Sequence, residues 1–240
     1  MFDLIALDAD DTLWHNERLY LATASQFREM LLPYHSAEWI EERLNATESK
    51  NLQHFGYGVK GFMLSMIETA IELTEGRISG AEILRILEWG REMLCAPIEL
   101  LEGVRETVED LARDRRLMLL TKGDLFDQEN KLARSGLGHC FSAIEVVAEK
   151  TALTYRTILT RHGVRAEHFL MVGNSLRSDI LPVLELGGTA IHIPSATTWV
   201  LDRVSAEELA GKEFVQLAEI REIAAWLRSR KPAVDDLDGH

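Results

Sequence analysis

The sequence predicts an α/β protein in which a doubly wound parallel sheet carries an all-helical insertion. From about residue 98 onward, short apolar segments alternate with segments of helical periodicity. That alternation is typical of parallel strands covered by helices on both faces. One further apolar run, at residues 2–7, precedes a stretch with helical periodicity alone. We therefore expect the first strand to join the later sheet, with the intervening helices inserted between them.

The alternating region is predicted to contain five strands and five helices and to end with a helix at residues 219–230. Strands are expected at residues 117–120, 143–147, 169–172, 189–193 and 214–217. Helices are expected at residues 102–113, 124–135, 151–162, 176–186 and 219–230. Asp124 is a candidate N-cap, and Gly136 and Gly163 stand where two of these helices should end.

The inserted stretch is predicted to be a small helical bundle. Apolar residues recur at three- and four-residue spacing over residues 16–32, 36–50, 59–74 and 79–94. Four large apolar side chains are expected in its core: Trp39, Met63, Met66 and Trp89. The predicted organisation is a core at residues 1–15 and 98–240, interrupted by a helical cap at residues 16–97.

Composition and charge exclude several classes of function. The 240 residues carry a formal net charge of −13 with scattered basic residues, so nucleic acid is not an expected partner. No apolar run approaches the roughly 18 residues of a membrane-spanning helix. Cys95 and Cys140 lack metal-ligand spacing and are expected as reduced thiols, which favours the cytoplasm. The sequence leaves the oligomeric state open.

Polar residues follow the first predicted strand at once, in the segment Asp8-Ala9-Asp10-Asp11-Thr12. Clustered carboxylates at the end of a buried strand repel one another unless a cation lies nearby. Ligands of open α/β sheets bind at the carboxyl ends of the strands. Because side chains two residues apart in a strand point to the same side, Asp8 and Asp10 are expected to face one site.

Two later strands also end in candidate binding residues. Thr121 precedes Lys122-Gly123 at the start of a helix, where a hydroxyl and backbone N–H groups suit an oxyanion. Lys150 also precedes a helix, which is unfavourable for a cation unless an anion lies nearby. Lys122 is an alternative for the same role.

These segments, in this order, resemble the four motifs of the haloacid dehalogenase-like (HAD) hydrolases. The first motif is Asp8-x-Asp10-x-Thr12, the second and third are Thr121 and Lys150, and the fourth is Gly173-Asn174 followed by Asp179. Each motif falls at the end of a predicted strand. The resemblance implies a Rossmann-like core with an inserted helical cap.

The resemblance also implies residue roles in phosphoryl transfer. Asp8 would attack phosphorus as the nucleophile, and Asp10 would protonate the leaving oxygen and then activate water. Thr121 and Lys150 would stabilise the charge of the phosphoryl oxygens. Asp11 stands where glycine is commoner and is expected to be a solvated, turn-forming acid.

The implied cofactor is Mg²⁺, with Asp8, Asp10, Asn174 and Asp179 as its ligands, and Asp10 would contribute its backbone carbonyl. Asn174 stands where the family usually has an acid, so its amide would supply an oxygen without a charge. Haloacid dehalogenases lack a carboxylate at the position of Asp10 and use no metal. Asp10 therefore favours phosphatase chemistry.

Substrate contacts are expected from Thr121, Lys122 and Gly123, and from a glycine-rich segment of the insertion. That segment, residues 53–62, contains Tyr57 and Lys60. The alternative is an interhelix turn with buried aromatic side chains.

The predicted function is Mg²⁺-dependent hydrolysis of a small phosphomonoester through an aspartyl phosphate. A sugar phosphate, a nucleotide and a small acid phosphate are all compatible with the motifs. A phosphomutase or phosphotransferase would use the same core residues, and a binding or regulatory protein with weakened catalysis would keep the fold.

Overall fold

The computed structural model describes residues 2–197, 199, 202 and 204–230. Within these residues, six strands form one parallel sheet in the order β3-β2-β1-β4-β5-β6. The strands are β1 (Leu4–Leu7), β2 (Leu117–Lys122), β3 (Ala143–Val147), β4 (Phe169–Gly173), β5 (Thr189–His192) and β6 (Val215–Gln216). The predicted fold class is confirmed. The predicted core segment extends beyond this, since residues 231–240 lie outside the described part.

Helices occupy the insertion and flank the sheet. In chain order they are α1 (Glu17–Leu31), α2 (Ala37–Phe55), α3 (Val59–Leu73), α4 (Gly80–Cys95), α5 (Val104–Leu111), α6 (Leu125–Ser135), α7 (Ala152–His162), α8 (Leu181–Glu185), α9 (Ala206–Leu209) and α10 (Glu222–Ser229). The Asp124 side chain caps α6, and Gly136 and Gly163 end α6 and α7 in the left-handed conformation, as predicted. No described helix has the length and apolarity that a membrane span requires.

Alternate residues along each strand face opposite sides of the sheet. Ile5 and Leu7 pack in one hydrophobic cluster, which also contains residues of α5 and α10. Leu4 and Ala6 pack in a second cluster, which contains residues of α7 and α8. Because both faces are covered, the central strands β1, β2 and β4 are buried and almost wholly apolar.

The order of the strands locates the candidate site. β1 lies between β2 and β4, so the chain moves outward from β1 in both directions along the sheet. At such a switch point, the loops after neighbouring strands diverge and leave a crevice at the carboxyl ends. The segments after β1, β2 and β4 meet there.

The helices α1–α4 have a hydrophobic cluster of their own, which includes Phe27, Met66 and Trp89. Trp39, which was also expected in this core, is 44% exposed, and the prediction for it was wrong. It lies one turn into α2 on the outward face, where Arg43 covers its ring. We propose the division into a core (1–15 and 98–240) and a cap (16–97) because this cluster is separate from those of the sheet.

Two connections join the insertion to the sheet, and they run side by side. The Leu101 backbone N–H donates to the Leu13 carbonyl at 3.0 Å, and the His15 N–H donates to Glu99 at 3.0 Å. An ion pair between Arg18 and Glu99 (2.6 Å) adds to this link. The insertion is therefore attached by a short paired segment beside the first motif.

The segment after β4 differs from the single helix predicted at residues 176–186. Leu176–Ile180 is π-helical, and the α-helix α8 follows it. The wider turn brings the Asp179 side chain back over Gly173, where a Cβ would lie 2.2 Å from its carboxylate. Glycine at 173 is therefore required by the position of Asp179.

Both cysteines are free thiols, as predicted. Cys140 is buried and Cys95 is exposed.

Candidate active site

A cavity lies at the carboxyl ends of β1, β2 and β4, between the sheet and the inserted helices. Most of the residues predicted to act in catalysis or binding line it: Asp8, Asp10, Tyr57, Thr121, Lys122, Gly123, Lys150, Asn174 and Asp179. Lys60 is outside this lining and forms an ion pair with Asp124 at 2.9 Å. The structure thus brings together segments that are up to about 170 residues apart in the chain.

Asp8 follows β1 directly, and its backbone N–H continues the sheet by donating to the Val172 carbonyl at 2.9 Å. Its side chain is buried. The Thr12 hydroxyl donates to one carboxylate oxygen at 2.9 Å, and the Lys150 Nζ donates to the other at 2.5 Å. Burial raises the pKa of Asp8 to about 7, and the Lys150 ammonium opposes that rise.

Lys150 lies between two carboxylates. Its Nζ donates to Asp8 at 2.5 Å and to Asp179 at 2.6 Å. Burial disfavours the ammonium, but the Asp179 and Asp8 carboxylates outweigh burial and raise the pKa of Lys150. Lys122, the alternative candidate, instead donates to the Ser178 hydroxyl at 2.9 Å and lies 4.2 Å from the centre of the Tyr57 ring.

Thr12 connects the first motif to the fourth. Besides its contact with Asp8, its hydroxyl oxygen accepts a hydrogen bond from the Asn174 N–H at 3.1 Å and lies 3.2 Å from the Asn174 amide oxygen. Asp179 accepts a second hydrogen bond, from the Ser175 N–H at 3.0 Å. These bonds hold the Asp8 and Asp179 carboxylates and the Asn174 amide in fixed positions.

The Asp10 carboxylate is held by three side chains that the sequence analysis did not assign to the site. Trp14 Nε1 donates to it at 2.7 Å, Gln128 Nε2 at 2.8 Å, and Lys131 Nζ at 3.1 and 3.2 Å. Trp14 is fully buried. It therefore packs and donates to a predicted catalytic residue at the same time.

Lys131 is buried, as Asp8 and Lys150 are. Beyond Asp10, it contacts the Asp127 carboxylate at 3.3 Å and the Asn16 amide oxygen at 2.8 Å. Burial disfavours its ammonium, but Asp10 and Asp127 outweigh burial and raise the pKa of Lys131. No motif marks Lys131 in the sequence, but Asp127, Gln128 and Lys131 have the three- and four-residue spacing that places them on one face of α6, the helix after the Thr121 segment.

Thr121 and Gly123 lie at the end of β2, beside the cavity. The Thr121 hydroxyl lies 3.3 Å from the Lys122 carbonyl oxygen, to which it donates. Gly123 has a φ of 135°, a conformation that L side chains rarely adopt, and a Cβ there would lie 3.1 Å from Gln128 Nε2. Its N–H donates to Val147 at 3.4 Å.

The glycine-rich segment of the insertion is mostly helical. Helix α2 continues to Phe55 and α3 begins at Val59, so the turn consists of residues 56–58. Tyr57 reaches the cavity from this turn, and its hydroxyl donates to Glu149 at 2.7 Å. Its ring lies 5.8 Å from that of Trp199.

Asp11 forms a turn, with a φ of 60°, but it is not a solvated acid. Its carboxylate oxygens accept hydrogen bonds from the backbone N–H groups of Asn16 (3.0 Å) and Glu17 (2.9 Å). These bonds satisfy donors at the start of α1. Burial raises the pKa of Asp11, and the two hydrogen bonds oppose that rise.

The donor set suits a hard cation such as Mg²⁺. Within the described ranges, no group of three or more His, Cys, Asp or Glu side chains is arranged for a metal. The proposed ligand set contains only two such side chains, the carboxylates of Asp8 and Asp179. The Asn174 amide and the Asp10 backbone carbonyl complete it. All of these donors are oxygens, which Mg²⁺ prefers. Because two buried carboxylates share one ammonium, a negative charge is left over for a cation.

The chain matches the model of a known protein family over most of its length. A model of the family described as haloacid dehalogenase-like hydrolase matches residues 2–187. The chain belongs to that family. A haloacid dehalogenase-like family hydrolase from Xanthomonas campestris is 43% identical, with a TM-score of 0.84 over 95% of this chain and 91% of that chain.

More distant structures share the fold of this HAD-like hydrolase. A HAD phosphatase from Thermococcus onnurineus is 19% identical, with a TM-score of 0.61 over 94% of this chain and 98% of that one. L-2-haloacid dehalogenase from Xanthobacter autotrophicus is 14% identical, with a TM-score of 0.67 over 96% of this chain and 100% of that one. The search of curated proteins gives no match. Phosphatase and dehalogenase chemistry therefore have to be distinguished by the site itself.

Proposed function

We propose that this HAD-like hydrolase is a Mg²⁺-dependent phosphatase that hydrolyses a small phosphomonoester through an aspartyl phosphate on Asp8. The observation that carries the proposal is the Asp10 carboxylate, which lines the cavity with Asp8 and is held there by Trp14, Gln128 and Lys131. A dehalogenase has no use for a second carboxylate that can donate and accept a proton.

In the first step, a carboxylate oxygen of Asp8 attacks phosphorus, and the bond from phosphorus to the leaving oxygen breaks. Protonated Asp10 gives its proton to that oxygen, and an alcohol leaves. The Lys150 ammonium, 2.5 Å from Asp8, stabilises the negative charge of the phosphoryl oxygens, and the Thr121 hydroxyl at the end of β2 donates to one of them.

In the second step, the Asp10 carboxylate accepts a proton from a water molecule as the water oxygen attacks phosphorus. The bond between phosphorus and Asp8 breaks, which restores the Asp8 carboxylate and releases inorganic phosphate. Thr12 keeps the Asp8 carboxylate oriented through both steps by its hydrogen bond of 2.9 Å.

The family generally uses Mg²⁺. In this chain, Asp8, Asp179, Asn174 and the Asp10 backbone carbonyl would hold the ion. When bound, it would neutralise charge on the phosphoryl oxygens. A neutral Asn174 lowers the negative charge of this set, so we expect weaker binding than an aspartate would provide.

Activity measurements test this proposal directly. Purified protein is assayed for phosphate release from p-nitrophenyl phosphate with Mg²⁺ and with EDTA, and for halide release from a 2-haloacid. We expect Mg²⁺-dependent phosphate release and no halide release. Asp8→Asn should abolish the activity, whereas Asp114→Asn, the same change at an exposed position, should retain it.

Two results would contradict the proposal. Halide release without phosphate release would assign the protein to the dehalogenases. Phosphate release that survives in Asp8→Asn would exclude the aspartyl-phosphate mechanism.

A further inference from the structure

The wall of the cavity formed by the insertion carries two carboxylates without partners. Glu17 of α1 and Glu48 of α2 line the cavity, and neither side chain forms a hydrogen bond or ion pair with a residue that the structure describes. Burial raises the pKa of Glu17 to about 7, and the charges of Asp11, Asp202 and Asp10 add to the rise. Burial also raises the pKa of Glu48 to about 7, and Glu17 adds to that rise. The two partly buried carboxylates therefore have no cationic side chain among the described residues to balance their charge.

The lysines that line the cavity cannot serve as that cation, since each is already paired. Lys150 lies between Asp8 and Asp179, and Lys131 contacts Asp10. Lys122 is 3.5 Å from Asp202 and donates to Ser178. Over the part of the chain that is described, no lysine of the cavity is therefore free to pair with Glu17 and Glu48.

A second, independent observation also indicates a missing donor. Gln128 lines the same cavity and is only 3% exposed. Its Nε2 donates to Asp10 and to the Lys122 carbonyl, but its Oε1 has no hydrogen-bond partner. A buried acceptor without a donor costs free energy unless a ligand supplies one. Acceptors without donors therefore occur both on the insertion wall of the cavity and in a residue buried beside it.

We propose that the substrate's leaving group carries a positively charged, donor-rich group, of which a primary ammonium is the simplest example, and that Glu17 and Glu48 receive it. The proposal rests on the proposed phosphatase function and adds the class of substrate. A phosphomonoester of an amino alcohol or an amino sugar has this chemistry. Its phosphate would lie against Asp8 and Lys150, and its ammonium would lie against the insertion.

The same charges exclude the opposite class of ester. A carboxylate on the leaving group would lie beside two glutamates in a partly buried space, where like charges repel strongly. Small acid phosphates, which the motifs alone allow, are therefore expected to be poor substrates.

Three esters of nearly equal size test the proposal, because they differ in the charge of one terminal group. These are 2-aminoethyl phosphate (ammonium), 2-hydroxyethyl phosphate (neutral) and carboxymethyl phosphate (carboxylate). We expect kcat/KM to fall in that order, with the first exceeding the last by about a hundredfold or more. The assay contains Mg²⁺ at pH 8, where both glutamates are mostly ionised in the free protein.

Substitutions then assign the preference to the two glutamates. Glu17→Gln and Glu48→Gln should each reduce the ratio of kcat/KM for the ammonium ester to that for the carboxylate ester by about tenfold. Glu42→Gln is the matched control, because it removes the same charge from α2 at an exposed position outside the cavity. The ratio should not change in that variant.

The outcomes separate this proposal from the proposed function. If p-nitrophenyl phosphate is hydrolysed but the carboxylate or the neutral ester is preferred over the ammonium ester, the assignment of substrate class is wrong and the phosphatase function stands. A preference for the ammonium ester that Glu17→Gln and Glu48→Gln alter no more than Glu42→Gln does would also overturn it. If no phosphomonoester is hydrolysed, the proposed function itself fails.

Discussion

The two walls of the cavity differ in whether their carboxylates are paired with a cation. On the wall formed by the sheet, Asp8, Asp10 and Asp179 each contact a lysine ammonium within 3.2 Å. On the wall formed by the insertion, Glu17 and Glu48 have no such contact with a described residue. The first arrangement holds its charges in place whether or not a ligand is bound. In the second arrangement, the unpaired carboxylates are unfavourable until a ligand of opposite charge binds. Such an arrangement is expected at a surface that binds a ligand rather than at one that stabilises the fold.

Among the substitutions that test this contrast, Lys150→Met should have the largest effect on stability. The substitution leaves two buried carboxylates, Asp8 and Asp179, without their shared cation. We expect the free energy of unfolding to fall by about 3–5 kcal/mol, the usual cost of breaking a buried ion pair. Urea denaturation without metal ions measures the change.

Lys60→Met provides the matched control for that experiment. Lys60 also pairs with an aspartate at 2.9 Å, but the pair is exposed. Its loss should cost less than about 1 kcal/mol. Equal losses in the two variants would show that the buried pairing is not what stabilises the sheet wall.

A smaller effect is expected from Lys131→Met, which removes the ammonium from Asp10 while Trp14 and Gln128 remain. Because a misplaced proton donor affects bond breaking more than substrate binding, kcat should fall about tenfold to a hundredfold with little change in KM. Lys131→Arg, which keeps the charge, should recover part of the loss. A rise in KM alone, or no rescue by arginine, would mean that Lys131 does not position Asp10.

The next effect concerns the metal. Asn174→Asp adds a negative charge to the proposed ligand set, so the affinity for Mg²⁺ should rise by about tenfold. Isothermal titration calorimetry measures the affinity in the absence of substrate. Unchanged or weaker binding would place Asn174 outside the coordination sphere.

The smallest effect should appear in Glu48→Gln as a change in the pH dependence of stability. Since burial raises the pKa of Glu48 from 4.5 to about 7, the folded protein holds a proton that the unfolded chain has released over that interval. The contribution of Glu48 to stability therefore falls as the pH rises from about 4.5 to 7. Removing the carboxyl should stabilise the protein at pH 8 by about 1 kcal/mol, allowing for solvent screening, and have little effect at pH 4.5.

Thermal unfolding at both pH values, with Glu42→Gln as the control, measures this difference. A Glu48→Gln variant that is less stable at pH 8 would show that Glu48 has a favourable partner, and the contrast between the two walls would disappear.

The sequence predicts the fold, and the placement of the candidate catalytic residues at the strand ends, because both depend on local patterns. The strand at 143–147 has the predicted bounds, and the predicted strand at 117–120 continues two residues further because Thr121 and Lys122 still pair with β3. Each motif lies at or just beyond the carboxyl end of a strand, and the parallel topology alone brings strand ends together. That reasoning needs no knowledge of side-chain packing.

The rest of the site depends on contacts between distant segments. Lys131 is 121 residues from Asp10, with which it pairs, and it lies in the middle of a helix with no motif of its own. Glu17 and Glu48 have the periodicity of a solvated helix face, which is the ordinary interpretation of acids in an amphipathic helix. Only the packing of the insertion over the sheet shows that they face a cavity.

The central claim is that Asp8 becomes phosphorylated, and mass spectrometry tests it most directly. Protein is quenched with acid during turnover of p-nitrophenyl phosphate in the presence of Mg²⁺, digested and analysed. The account predicts a phosphoryl group on the peptide that contains Asp8, labile to hydroxylamine as an acyl phosphate is, and absent from Asp8→Asn. A phosphoryl group on any other residue of a protein that releases phosphate would contradict the account.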